Sequence, residues 1–276
     1  MKTDKKKVKN DAKKLFLKKG TCSHTFFYIL NREFGASHNA EQSASDSLAG
    51  GIYREGYQCG MLWGSTLAAG AESFRRNENR DEAIRMAITA TQHLVESFTK
   101  RTNTVECSDI TETDWSSKLS LAKYALTGKF MTCFNLAEKW APEAIEAAKE
   151  GLSKTQNNSP CLSCASEVVK KMGASDEEMV MVAGFAGGLG FSGNACGALG
   201  AAIWMRNLTL FKNQPDKKTG MHDPEAEKTL KAFYAETDYE ILCPKISGQN
   251  FKNIDEHTKF IKNGGCEKLI ELLATI

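Results

Sequence analysis

One stretch of this chain occurs twice. Residues 48–67 (LAGGIYREGYQCGMLWGSTL) and 185–204 (FAGGLGFSGNACGALGAAIW) align without a gap, with seven of twenty positions identical. The identities include Gly50/Gly187, Gly51/Gly188, Gly56/Gly193, Cys59/Cys196 and Gly60/Gly197. Around this block the cysteines recur in step. Cys107 and Ile110 lie above Cys243 and Ile246, Cys133 and Leu136 above Cys266 and Leu269, and Cys22 before Gly35 above Cys161 before Gly173. Each half therefore carries four cysteines in the same order at nearly the same spacing, and of the nine in the chain Cys164 is left over. A repeat of this length requires a fold that builds one unit twice. Four matched pairs in a weakly similar repeat imply that each unit needs its four sulfurs. The polar segment 154–160 (KTQNNSP) reads as a linker. It divides the chain into a first unit, 1–153, and a second, 154–276.

The units read as helical. Residues 81–99 and 142–154 are rich in strong helix formers, and no series of alternating β-branched strands occurs. Val8, Ala12, Leu15 and Phe16 form the apolar stripe of a helix whose other face is lysine. The five prolines, Pro142, Pro160, Pro215, Pro224 and Pro244, are expected near breaks. The expectation is an all-α protein of two pseudo-symmetric units with five to six helices each, four sulfurs converging within each unit or all eight at their interface.

Charge narrows the function classes. The formal net charge is only +2, which gives no broad footprint for nucleic acid. No run of about 18 apolar residues suggests a membrane span. Residues 1–19 hold nine lysines without an apolar block of signal-peptide length, so the expected location is the cytoplasm. Thiols stay mostly reduced there, and spaced cysteines then mean metal ligation, redox chemistry or plain burial.

Gly188-Leu-Gly190-Phe-Ser-Gly193 is a literal G-x-G-x-x-G, but the other copy has Tyr53 for the middle glycine and a polar segment before it. A helix-to-helix turn is therefore favoured over a dinucleotide loop. Cys59-Gly60 and Cys196-Gly197 then stand on the first turn of a new helix, where unpaired N–H groups favour a thiolate. Gly60 and Gly197 are candidate cofactor-contacting glycines. With Gly64 and Gly200 they permit close approach of a helix or a cluster, and the plainer reading is small-residue packing around inert cysteines. Cys161-Leu-Ser-Cys164 is a C-x-x-C whose sulfurs would share a helix face, yet the other half offers only Cys22-Ser-His-Thr25. The histidines His24, His38, His93, His222 and His257 show no ligand spacing, and Trp63, Trp115, Trp140 and Trp204 read as core.

These residues resemble the family of small redox-active proteins known by the pattern C_GCAxxG_C_C. The likeness is clearest in residues 183–201, AGFAGGLGFSGNACGALGA. Residues 12–22 look like the opening helix and first cysteine, and Cys107, Cys133, Cys243 and Cys266 look like the third and fourth cysteines of two copies. In the second copy the first cysteine is Cys161 by spacing or Cys164 by context. Met61 stands where the family has alanine, and Ala201 where it ends on glycine. Related split-Soret cytochromes carry iron–sulfur and haem centres, so the resemblance implies a metal cluster.

The leading expectation is an iron–sulfur protein of electron transfer or storage, its cluster held among Cys22, Cys59, Cys107, Cys133, Cys161, Cys164, Cys196, Cys243 and Cys266, with a redox protein as partner. The alternatives are a metal-free thiol–disulfide protein and a zinc-stabilised interaction module.

Overall fold

The computed structural model describes residues 5–153, 159–214 and 224–276. Linker residues 154–158, Pro215 and His222 lie outside the described residues. No strand occurs among the described residues, and the β-type contacts are two isolated bridges, Gln58 with Glu106 and Ala195 with Leu242. These four residues occupy matching places in the two repeats.

The first repeat runs α1 (Lys5–Lys19), α2 (Cys22–Phe34), α3 (Asn39–Ala44), a 3-10 turn (Ser45–Leu48), α4 (Gly60–Arg76), α5 (Arg80–Thr102), α6 (Cys107–Thr111), α7 (Lys118–Leu126) and α8 (Phe130–Gly151). The second runs α9 (Cys164–Lys171), α10 (Asp176–Met181), a 3-10 turn (Ala183–Phe185), α11 (Gly197–Asn213), α12 (Pro224–Thr237), α13 (Cys243–Ser247), α14 (Ile254–Lys262) and α15 (Glu267–Thr275). The repeats thus hold eight and seven described helices, more than the five to six expected. The excess is in pieces of five or six residues, α3, α6, α10 and α13, too short to show a periodic stripe.

Local chemistry explains the element ends. The Thr21 hydroxyl caps α2 by accepting from the N–H of His24, and Ser163 caps α9 in the same way through Ser166. Ser175 and Glu178 form a reciprocal capping box on α10. In α1, Val8, Ala12 and Phe16 are buried against α8, where Phe16 meets Phe134 at 4.7 Å between ring centroids. Pro142 does not mark a break. It lies inside α8, where it removes the N–H that would bond the Glu138 carbonyl. The helix continues because its apolar face, including the buried Trp140, Ala144 and Ile145, packs on α5, with Trp140 edge-on to Phe98 at 4.6 Å.

The repeats are interleaved across one hydrophobic core. The α3 helix of the first repeat packs on α11 of the second, and α10 of the second packs on α4 of the first. The Trp204 indole of α11 donates to the Glu41 carbonyl of α3 at 3.2 Å. Trp63 of α4 stands edge-on to Phe185 at 4.6 Å. Three of the four tryptophans, Trp63, Trp140 and Trp204, are core residues, whereas Trp115 is only half-buried.

Within the first repeat, α2 and α4 touch through backbone. A Cβ on Gly64 would overlap the Ser23 carbonyl. The Gly64→Ala variant is expected to lose about 1–3 kcal/mol by forcing these helices apart. Ala201 occupies the matching place on α11, and Ala201→Gly should cost only about 1 kcal/mol through helix propensity. Urea unfolding of both variants measures the difference.

Candidate functional site

Residues 50–54 all have left-handed backbone: Gly50, Gly51, Ile52, Tyr53 and Arg54, with φ from 51° to 78°. The matching residues Gly187, Gly188, Leu189, Gly190 and Phe191 do the same, with φ from 59° to 77°. A non-glycine residue held there costs about 1–2 kcal/mol. Bonds across the turn hold it, Gly56 N–H to the Gly50 carbonyl at 2.9 Å and Gly193 N–H to the Gly187 carbonyl at 3.0 Å. The turn directs the N–H of Gly50 onto the Cys22 sulfur and that of Gly187 onto the Cys164 sulfur. Sequence reading located these glycine turns but not the left-handed run through Ile52, Tyr53 and Arg54.

Helix starts bring the sulfurs together. Cys22, Cys107, Cys164 and Cys243 are the first residues of α2, α6, α9 and α13. Cys59, Cys196 and Cys266 directly precede α4, α11 and α15, and Cys133 lies in the first turn of α8. The Cys107 N–H donates to the Tyr57 carbonyl at 2.7 Å, and the Cys243 N–H to the Asn194 carbonyl at 3.0 Å, which docks each short helix beside the start of α4 or α11. Helix N-termini carry positive partial charge, which at each of these eight sulfurs works against the cost of burying an anion.

The first group comprises Cys22, Cys59, Cys107 and Cys133, whose sulfurs interact electrostatically. Cys22 is held below the usual thiol value, because the Cys59 S–H donates to it and outweighs burial, with help from the N–H groups of Gly50, Ser23 and Cys22 itself. Cys59, the donor of that bond and buried, is pushed well up. Burial and neighbouring sulfurs push Cys107 well up and Cys133 to about 11. The second group comprises Cys164, Cys196, Cys243 and Cys266. Burial is the main cause at each, carrying Cys243 to about 12 and Cys266 to about 11.

Cys161 belongs to neither group. It is buried ahead of α9, 4.0 Å from the Thr258 hydroxyl of α14. Burial pushes it to about 12, against the nearby Arg85 guanidinium. Arg85 itself clasps the Ser159 and Pro160 carbonyls and pairs with Asp255 at 2.6 Å. The two cysteines of the C-x-x-C thus serve different surroundings, and Cys164 is the structural counterpart of Cys22. The sequence spacing that matched Cys161 to Cys22 yields to helix position: Thr21-Cys22 and Ser163-Cys164 are equivalent cap-and-first-residue pairs.

Of the candidate glycines, Gly60 lies against a sulfur of the first group and Gly197 against neighbouring backbone. A Cβ on Gly60 would stand 2.5 Å from the Cys22 sulfur, and one on Gly197 would overlap the Phe185 carbonyl. Side chains that the sequence did not mark as site residues also line the first group. The Tyr124 hydroxyl lies 3.7 Å from the Cys133 sulfur. The Trp115 indole N–H is buried without an oxygen or nitrogen acceptor among the described residues and favours the ionised Cys107 sulfur. Glu106, beside Cys107, is pushed up to about 7 by burial and by Asp109. The Gln58 side chain, next to Cys59, donates to the Gly188 carbonyl of the other glycine turn at 3.5 Å.

Among the described residues no three His, Cys, Asp or Glu side chains close onto one ion-sized point. What each group offers is a donor set of four thiols at helix starts, with amide N–H groups directed at sulfur and, in the first, an indole N–H awaiting an anionic partner. That chemistry fits an iron–sulfur cluster, whose sulfur ligands are anionic and accept N–H donors.

The raised thiols set a pH dependence in the reduced, metal-free chain. Unfolded cysteine ionises near 8.5, whereas folded Cys133 and Cys266 hold their protons to about 11 and Cys243 and Cys161 to about 12. A folded pKa above the unfolded one stabilises fully below about 8.5, and the advantage is lost as pH rises through the folded values. The urea midpoint is expected to fall between about pH 8.5 and about pH 11. The fall should be shallower in Cys161→Ala, which removes one such group without touching either four-sulfur set.

Two stretches of the chain, residues 21–175 and 159–276, match the family model described as "Putative redox-active protein (C_GCAxxG_C_C)". No curated protein and no solved structure matches the chain. The two stretches fall on the two repeats and together cover nearly the whole sequence, as a tandem duplication requires. The chain belongs to the C_GCAxxG_C_C family of redox-active proteins and carries two copies of its unit.

Proposed function

We propose that this protein transfers or stores electrons at two iron–sulfur centres, one held by Cys22, Cys59, Cys107 and Cys133 and the other by Cys164, Cys196, Cys243 and Cys266. The observation that carries this reading is the doubled arrangement of four sulfurs on four helix starts, with an amide N–H directed at the same sulfur in each copy. Cysteine-held iron–sulfur clusters supply one-electron chemistry at potentials tuned by hydrogen bonds and exposure. The chain's own part is to bury the ligands, place N–H groups on them and offset their negative charge with helix N-termini. Gly60 leaves room beside the Cys22 sulfur, and Gly197 lets the start of α11 lie against the Phe185 backbone. Zinc ranks lower, because the ligands stand about 20 to 50 residues apart rather than in short finger pairs.

A second reading has one supporting observation. Cys22 and Cys59 are coupled neighbours, and Cys22 is held below the usual thiol value by its partner, as in a pair poised for disulfide formation. Two thiols would give up two electrons and two protons to an external disulfide or quinone oxidant. This covers one half only, because the counterpart Cys164 is pushed up rather than down.

Anaerobic purification with iron, acid-labile sulfide and zinc assays tests the proposal. Both centres should be present in the parent chain and in Cys161→Ser, and Cys164→Ser should lose about half of the iron and sulfide. A colourless chain that takes up neither after reconstitution overturns the proposal. Zinc in their place supports the zinc module, and a metal-free chain that reversibly loses two thiols on mild oxidation supports the disulfide reading.

A further inference from the structure

The repeat continues past the cysteines, and there the two copies differ. Helices α6 and α13 have five residues each and α7 and α14 have nine each, at one common offset. The Ser117 cap of α7 accepts from the N–H of Ser120, and the Asn253 cap of α14 from that of Glu256. Glu112 and Gly248 end α6 and α13 in left-handed backbone. In this register Trp115 matches Phe251, and Tyr124 matches Phe260. The ring pairs superimpose in geometry: Trp115–Tyr124 have centroids 5.3 Å apart at 53°, and Phe251–Phe260 5.2 Å apart at 58°. The packing is kept, but the first pair carries an indole N–H and a phenol O–H where the second carries only carbon.

The polar atoms of the first pair face the first group of sulfurs. The Tyr124 hydroxyl is 3.7 Å from the Cys133 sulfur, and a ligated sulfur can only accept from it. The Trp115 N–H is buried, has no oxygen or nitrogen acceptor among the described residues, and favours an anionic Cys107. Its ring edge lies 3.4 Å from where a Cβ on Gly56 would be, beside Ser108, the neighbour of Cys107. In the second copy the comparable hydroxyl is that of Ser247, which favours the ionised Cys243 sulfur but whose single proton is shared with the Cys243 carbonyl at 2.8 Å and the Gln249 carbonyl at 3.0 Å. Backbone donors do not make the difference, because they serve both copies: the N–H groups of Gly50, Ser23 and Cys22 favour the ionised Cys22 sulfur, and that of Gly187 favours Cys164 while those of Ala198 and Leu199 favour Cys196.

Hydrogen bonds donated to ligand sulfur stabilise the more negative, reduced state and raise its potential. We infer that Trp115 and Tyr124 make the two centres inequivalent, poising the first above the second, so that a single electron entering the chain settles at the first. This rests on the iron–sulfur reading above. When the second site holds that electron and the first is oxidised, the transfer oxidises the second by one electron and reduces the first by one, with no atom or proton moved. The Gln58 side chain, next to Cys59, bridges to Gly188 of the other glycine turn. The Glu106 carboxyl beside Cys107, matched by Leu242, opposes the two donors when ionised. It is common to the parent and the variants compared below, so it cancels from their difference.

The test is a dithionite titration of the iron-loaded full chain followed by electron paramagnetic resonance. The waves are assigned with C22S and C164S, each of which should keep one centre. Two waves are expected, the first site at the higher potential. Y124F and W115F should each lower the first-site wave alone. Together they should shift the one-electron partition between the sites by about tenfold, which is about 59 mV. Coincident waves, a higher second site, or a first-site wave unmoved in both variants overturns the inference. Iron and sulfide per chain, measured on each variant, separate that result from failure of the iron–sulfur reading, in which no centre is present at all. A readout on the unaltered sequence guards against variants that lose their iron. Tryptophan labelled with nitrogen-15 in its indole should add a nitrogen coupling to the first-site signal and none to the second, and its absence from the first overturns the role of Trp115.

Discussion

The arrangement depends on one hydrogen bond made twice, from the amide of Gly50 to the Cys22 sulfur and from that of Gly187 to the Cys164 sulfur. An amide reaches a buried sulfur in this way only if the chain reverses sharply just before a helix. Five successive left-handed residues provide that reversal in each repeat. Glycine adopts such backbone freely, but Ile52, Tyr53 and Arg54 do not, and they hold it against about 1–2 kcal/mol each. The bonds that close the turn and the burial of Ile52 compensate. The second repeat eases the same strain by placing Gly190 opposite Tyr53.

From that turn the rest of each centre follows. The turn delivers the chain to the start of α4 or α11, and the glycine there lets the helix lie against the neighbouring backbone. The bridge between Gln58 and Glu106, or Ala195 and Leu242, then docks a five-residue helix whose first residue is the third cysteine. Four helix starts point at four sulfurs, and their partial charges oppose the cost of gathering anionic ligands in a buried place. In the thiol form burial outweighs the helix starts, as the raised thiols show.

The halves are repeats in sequence but one body in packing. Because α3 packs on the partner repeat's α11, and α10 on the partner repeat's α4, neither unit closes its own core. The exchange brings Gln58 of one turn to Gly188 of the other. The two four-cysteine groups thus lie within a shared interior, and a single aromatic pair beside them differs between the copies.

Much of this was legible in the residues. The repeat, the helical class, the glycine turns and four cysteines per half are all properties of order and spacing, which folding preserves. Other features were not. Spacing matched Cys161 to Cys22, whereas position after a capping serine made Cys164 its counterpart; three residues separate them, both are buried, and only the direction of the chain entering α9 decides which sulfur joins the second group. Pro142 read as a break, yet packing of α8 on α5 carries the helix through it. Trp115 read as core, and Tyr124 gave no signal beyond a distance from Cys107 equal to that of Phe260 from Cys243. Sequence by itself determined that the unit is built twice from helices and that each copy holds four sulfurs, because periodicity and repetition are carried along the chain. Tertiary structure alone decided which sulfurs meet and which polar atoms reach them, because those depend on side-chain direction between segments far apart in sequence.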